Sequence, residues 1–186
     1  SLQKHLHIEC EELSFFTGTF SLSKHALSLV KYKIESFLEM SLAKSGKSSK
    51  RIIISRGSST TRRWLNENEC IKLLDTLNFK LIDPSKLSLS QQVEAFSNAE
   101  IILGPHGAGL TNIMFCSPGT KVIEIRSQEQ GGEYSSAKCY EELSQIMNIE
   151  HHVFKCEQVK RKELKGRSLE DADLVPDPEK LKNFVF

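Results

Sequence analysis

The sequence predicts a doubly wound α/β fold, with a mostly parallel sheet and helices on both faces. Three observations carry this. Four short runs, "RIIIS" (51–55), "FKLID" (79–83), "EIILG" (100–104) and "KVIEI" (121–125), are near-continuously apolar rather than alternating. That is the pattern of parallel strands covered on both faces. Helical patterns separate them, so strand and helix alternate from Arg51 onward, as in sheets built from βαβ units. Finally, "GPHGAGLTN" (104–112) sets a glycine-rich turn between a strand and a helix, on the edge where such sheets take ligands.

The elements follow in chain order. "HLHIECEEL" (5–13) reads as a strand or an extended entry segment. Residues 23–44 form a long amphipathic helix pattern. After the first strand, "NENECIKLLDTLN" (66–78) offers Asn66 as N-cap with Glu69 three residues on, a capping-box spacing, and Ile71, Leu74 and Leu77 at helical intervals. "SLSQQVEAFSN" (88–98) repeats the device with Ser88 and Gln91. Residues 110–115 read as a short helix after the glycine turn, and 135–148 as another helix. "HHVFK" (151–155) is a weaker fifth strand. In "VPDPEKLKNFVF" the prolines stop one element, and a last short helix begins.

The chain has 186 residues, 39% hydrophobic and 26% charged, which suits one domain with a real core. An N-terminal segment and helix (1–50) lead into, or pack on, a domain spanning 51–186. The formal charge of +1 supplies no field to draw the chain onto nucleic acid or an anionic membrane. The basic run "KSGKSSKR" (44–51) reads as a solvated loop. Five cysteines without a C-x-x-C pair argue against zinc and against a complete disulfide framework, and most read as buried reduced thiols. His5 and His7, like His151 and His152, read as exposed histidines rather than metal ligands. Trp64 reads as a packing residue. No apolar run approaches the ~20 residues that span a bilayer. The chain begins "SLQK" without methionine, as an excised domain does, so this says nothing of a leader.

The chemistry concentrates in two loops. At the glycine turn, backbone N–H groups of Gly107, Ala108 and Gly109 and the helix dipole favour an anion, phosphate above all. Thr111 and Asn112 add a hydroxyl and an amide, and His106 adds an imidazole. The spacing is neither G-x-G-x-x-G nor a P-loop, and Ala108 stands where a nucleophile elbow has serine. The second loop, "ISRGSSTTRRWLNENE" (54–69), carries Arg56 after a strand, and Arg62 and Arg63 before a helix. Guanidinium forks hold phosphate oxygens bidentately. Both loops belong on the carboxyl edge of the sheet, so they are expected to converge on one diphosphate. Glu124, near the end of "KVIEI", is a candidate acceptor for a ribose.

These residues give the sequence its likeness. Through "SRGSSTTRRWLNENE", "SLSQQVEAFSNAEIILGPHGAGLTNIMFCSPGT" and "KVIEI", roughly residues 51–126, it resembles glycosyltransferase family 61. The resemblance implies two Rossmann-like halves facing a cleft, the GT-B arrangement, of which this chain is the C-terminal, donor-binding half. It implies inverting transfer from a UDP-sugar to a glycan or protein hydroxyl, with no obligatory metal or cofactor. By the same likeness Arg56, Arg63, Asn66, Glu67, Gln92, His106, Gly107, Gly109, Thr111, Asn112 and Glu124 line the donor site. His106 is a candidate general base or a phosphate ligand; the base otherwise comes from the missing half. The expected partners are the donor, the acceptor and that half. The setting is cytoplasmic capsule or lipopolysaccharide assembly in a bacterium, or the endoplasmic reticulum or Golgi lumen in a eukaryote. The competing reading is a non-catalytic nucleotide- or phosphate-binding module on the same fold.

Overall fold

The computed structural model describes residues 23–39, 50–56, 59–128, 138–159 and 172–185. The isoleucines of the first strand, β1 (Arg51–Ile54), show how its sheet is built. Ile52 and Ile54 join a core cluster on one face, and Ile53 joins the cluster on the other. Both faces are covered, so a polar residue has no face to occupy. Burying each such side chain contributes about 1.5–3 kcal/mol. The other runs behave alike in β2 (Lys80–Ile82), β3 (Ile101–Pro105) and β4 (Lys121–Ser127). The weak fifth pattern is a ten-residue strand, β5 (Glu150–Val159).

Strand order is β2-β1-β3-β4-β5-β6, where β6 is Asp173–Val175. All neighbours are parallel except β5 and β6. The sequence reading has no counterpart for β6. It is three residues long and held partly by Trp64, which bridges to Leu174 and is buried as expected. From β1 the chain steps outward to β2 through α2 (Glu67–Asp75), then returns past β1 to β3 through α3 (Leu89–Ser97). Right-handed crossovers running in opposite directions lie on opposite faces. Accordingly α2 packs with the C-terminal helix α5 (Pro178–Val185) on one face, around Leu74 and Leu181. On the other face lie α3, the 3₁₀ helix Ala108–Phe115 and α4 (Cys139–Met147), with α1 (Lys24–Glu39) contributing Leu38. The reversal between β1 and β3 opens a crevice at their carboxyl ends.

Local chemistry sets the element ends. Ser88 and Gln91 close the expected capping box: Ser88 N–H donates to Gln91 Oε1 (2.9 Å), and Gln91 N–H to Ser88 Oγ (3.3 Å). Asn66 corrects the reading of the earlier helix. It makes no side-chain cap; its Nδ2 instead donates to the Pro176 carbonyl (2.8 Å), tying α2 to the β6–α5 connection. The helix after the glycine turn is 3₁₀ rather than α and starts at Ala108. Its three-residue repeat stacks Leu110, Ile113 and then Cys116 on the core side, all fully buried.

Burial raises the thiols of Cys70 to about 11 and of Cys116 and Cys156 to about 12, as inert core residues. Among the described residues, no helix is long and apolar enough to cross a membrane. The expectations for residues 5–13, for His5 and His7, for Cys10, and for most of the basic run lie outside the described residues, as do the ends of the helices expected over 23–44 and 135–148.

Candidate functional site

At the β1–β3 reversal lies a recess of about 320 Å³. Ser55 and Arg56 leave β1 on one side of it, and Gly107, Ala108 and Gly109 leave β3 on the other; Gln92 and Asn112 add an amide wall. The two loops expected to converge do so. Arg56 Nη1 donates to the His106 carbonyl (2.6 Å), and Nη2 to Ser59 Oγ (2.9 Å). Behind it, Glu67 accepts Ser55 Oγ–H (3.0 Å) and the Arg56 N–H (3.4 Å), which fixes where β1 ends.

The glycines are required by this approach. A Cβ on Gly107 would lie 1.7 Å from Arg56 Nη1, and the residue has φ +153°. A Cβ on Gly109 would lie 2.9 Å from Ile54 Cγ2. Gly107 precedes the 3₁₀ helix, whose first N–H groups have no acceptor within the helix; Ala108 and Gly109, at that helix start, line the recess. Asn112 Nδ2 donates to Gln92 Oε1 (2.9 Å), and Gln92 Nε2 to the Leu87 carbonyl (3.1 Å), so the amide wall is held by its own bonds.

Beneath the turn is a buried charged network. Glu124 on β4 is 0% exposed. It accepts the Nδ1–H of His106, the Nη2–H of Arg126 (2.7 Å) and the Nε2–H of His151 (2.9 Å). Arg126 reaches on to Glu141 of α4 (2.7 Å). Burial alone would push the Glu124 carboxyl up; the bonds from His106, His151 and Arg126 outweigh it and hold the group at about 2. Tyr140 on α4 packs edge-on to the His106 ring, centroids 5.2 Å apart, and donates its Oη–H to the Gly107 carbonyl (2.7 Å). Burial pushes that phenol up, so it remains a donor. The network locks the glycine turn from below, and Arg56 holds it from the side.

Several sequence-chosen residues stand elsewhere. His106 is 5% exposed, and its ring is anchored on Glu124 rather than lining the recess. Glu124 is likewise an interior hub rather than a strand-end acceptor. Arg63 faces β6: its backbone N–H, Nε and Nη2 all donate to Asp173 (2.9, 3.2 and 2.9 Å), with the carboxylate 2% exposed. Arg62 adopts left-handed backbone, φ 51°, within electrostatic reach of Tyr140. Thr111 is exposed, with Oγ1 3.5 Å from Tyr140 Oη. Asn66 and Glu67 anchor α2 and β1 rather than line the recess. The sequence reading missed Asp83 and Ser59 in the recess and Arg126, Tyr140 and His151 in the network. His151 is a correction: read as exposed, it bonds Glu124 from the neighbouring strand. Asp83 was findable, because the strand-edge rule that selected Arg56 applies equally to the end of β2.

A doubly wound sheet with a recess at its reversal point, walled by an arginine and a glycine turn, defines a Rossmann-like unit. Its recess has the position ligands take in such sheets. Sequence comparison places it further. The family model described as Glycosyltransferase 61 matches residues 3–123, and the chain belongs to that family.

It is similar to the EGF domain-specific O-linked N-acetylglucosamine transferase of Gallus gallus, 32% identical over 108 residues, or 55% of this chain and 19% of that protein. The transferase of the same name in Xenopus laevis is 29% identical over 106 residues, 54% of this chain and 19% of the relative. The beta-1,2-xylosyltransferase of Arabidopsis thaliana is 46% identical over 43 residues, 23% of this chain and 8% of the relative. The chain spans about a fifth of the length of the N-acetylglucosamine transferases it matches.

Proposed function

We propose that this chain binds the diphosphate of a nucleotide-sugar donor, UDP-linked, in the β1–β3 recess and serves its transfer to a glycan or protein hydroxyl. The observation that carries the reading is Arg56 set against the backbone of the glycine turn at a helix tip. In glycosyl transfer the departing nucleotide gathers charge on its diphosphate. A fixed guanidinium and preorganised N–H groups stabilise that charge as it forms, and removing one such donor commonly costs ~2.7–4 kcal/mol of barrier. These groups supply what a divalent cation would otherwise supply, so the reading includes inverting transfer with no obligatory metal or cofactor.

The His106 ring is committed to Glu124, so we assign it to holding the turn. The general base and most of the acceptor site then belong to a second half of the enzyme, and this chain alone transfers sugar poorly. The animal and plant sources of the relatives favour the secretory lumen over a bacterial capsule setting.

Calorimetric titration of the chain with UDP, UDP-GlcNAc and NAD tests the reading. UDP and the UDP-sugar are expected to bind, and NAD far more weakly. Arg56→Ala removes charge-assisted bonds of about 1.5–3 kcal/mol, a ten- to hundredfold loss of UDP affinity. Arg63→Ala acts differently: it removes both guanidinium bonds to the buried Asp173 carboxylate, so its effect falls mainly on Tm. Tighter binding of NAD than UDP, or UDP affinity indifferent to Arg56, contradicts the reading. UDP binding with no sugar turnover in the full-length protein would favour the non-catalytic module instead.

A further inference from the structure

The recess has a second charged wall. Asp83 follows β2, on the opposite side of the β1 end from the glycine turn, and it lines the same cavity as Arg56. Its side chain is pinned. Oδ1 accepts the N–H (3.1 Å) and Oγ–H (2.6 Å) of Ser85, and Oδ2 lies 3.4 Å from the exposed Lys86 ammonium. The Ser85 bonds hold its carboxyl below the usual range, so it is an ionised, acceptor-only group in a fixed rotamer. The neighbouring amides of Gln92 and Asn112 are bonded to each other.

We propose that Asp83 binds the ribose cis-diol of the nucleotide whose diphosphate lies at Arg56 and the glycine turn; this rests on the donor-binding reading above. A cis-diol presents two O–H donors side by side; Ser85 occupies Oδ1, and Oδ2, whose two lone pairs Ser85 leaves open, is the atom that accepts them. The same carboxylate repels phosphate, so the recess is cationic toward β3 and anionic at β2, which fixes the ligand's direction. β2 and β3 are separated by β1, so their carboxyl ends stand two strand spacings apart, about 10 Å. That is the scale of a nucleoside diphosphate. Asp83 thereby selects a ribonucleotide over a deoxynucleotide, and a nucleotide over free pyrophosphate.

The test is titration of the chain and of Asp83→Asn with UDP, 2′,3′-dideoxy-UDP, UDP-GlcNAc and inorganic pyrophosphate. Asparagine keeps an oxygen for Ser85, and an unchanged Tm checks that the turn persists. Asp83→Asn is expected to lose UDP affinity about tenfold and to keep or gain pyrophosphate affinity. Dideoxy-UDP is expected to bind the wild-type chain about as weakly as UDP binds the variant, an arm that needs no substitution. An equal preference for UDP over its dideoxy analogue in both proteins overturns the assignment. So does a variant weakened only toward UDP-GlcNAc, since the diol at Asp83 would then belong to the transferred sugar. A wild-type chain that binds neither UDP nor pyrophosphate overturns the donor reading itself, and this assignment with it.

Discussion

Glu124→Gln is expected to remove about 3–5 kcal/mol of stability, the cost of breaking a buried ion pair. The carboxylate has no contact with solvent and accepts from three donors on three elements: His106 after β3, Arg126 on β4 and His151 on β5. A glutamine matches its shape but offers one oxygen and one NH2 group. That NH2 would face a donor, and the guanidinium of Arg126, 3% exposed, would lose its charged partner on the same strand. Domains of this kind have about 5–15 kcal/mol in hand, so the loss is a large share of the total.

The pH dependence has a definite sign. The folded carboxyl, at about 2, lies below its ordinary 4.5. Its contribution is therefore full above about pH 4.5 and is lost as pH falls toward 2. Urea titrations at neutral pH and in that acid window measure both effects. The wild type should weaken in the window, and Glu124→Gln should weaken less there while starting lower. A loss under about 1 kcal/mol at neutral pH would mean that the network does not hold the turn.

Gly107→Ala is expected to weaken ligand binding at least tenfold while the sheet stays folded. The new methyl would sit 1.7 Å from Arg56 Nη1 and 2.9 Å from Cζ, so the guanidinium must leave the His106 carbonyl. The positive φ adds strain of order 1–3 kcal/mol. UDP affinity should fall at least as far as in Arg56→Ala, roughly ten- to hundredfold. A double-mutant cycle separates collision from general damage. Gly107→Ala with Arg56→Ala should bind no worse than Arg56→Ala alone and be more stable than Gly107→Ala alone. Full additivity of the two losses would show that the arginine and the glycine act independently.

How much of this was legible in the sequence follows from what each residue touches. The strands from 51 to 125 were readable because residues such as Ile52, Ile53 and Ile54 are buried on both faces, leaving uninterrupted apolar runs. The meeting of Arg56 with the glycine turn, fifty residues away, was readable because both follow strands and so lie on one edge. β6 was not readable: three residues, paired antiparallel at the sheet's end, give no periodicity. Arg63 looked like a second phosphate ligand because its partner, Asp173, is 110 residues on and belongs to that hidden strand.

Glu124 was misplaced for a related reason. A charge inside an apolar strand signals either a ligand or a buried partner, and its partners lie 18, 2 and 27 residues away with no local pattern. Asn66 shows the limit of spacing rules, since a capping-box interval formed no cap once the Pro176 carbonyl was within reach of its amide.

The most direct measurement is a crystal structure of the chain with UDP or a UDP-sugar. The account predicts the diphosphate in the β1–β3 recess, its oxygens within about 3.2 Å of the Arg56 guanidinium and of the backbone N–H groups at Ala108 and Gly109. A nucleotide bound away from that recess, or one seated there with its phosphates pointing to β2 and Arg56 untouched, would contradict it.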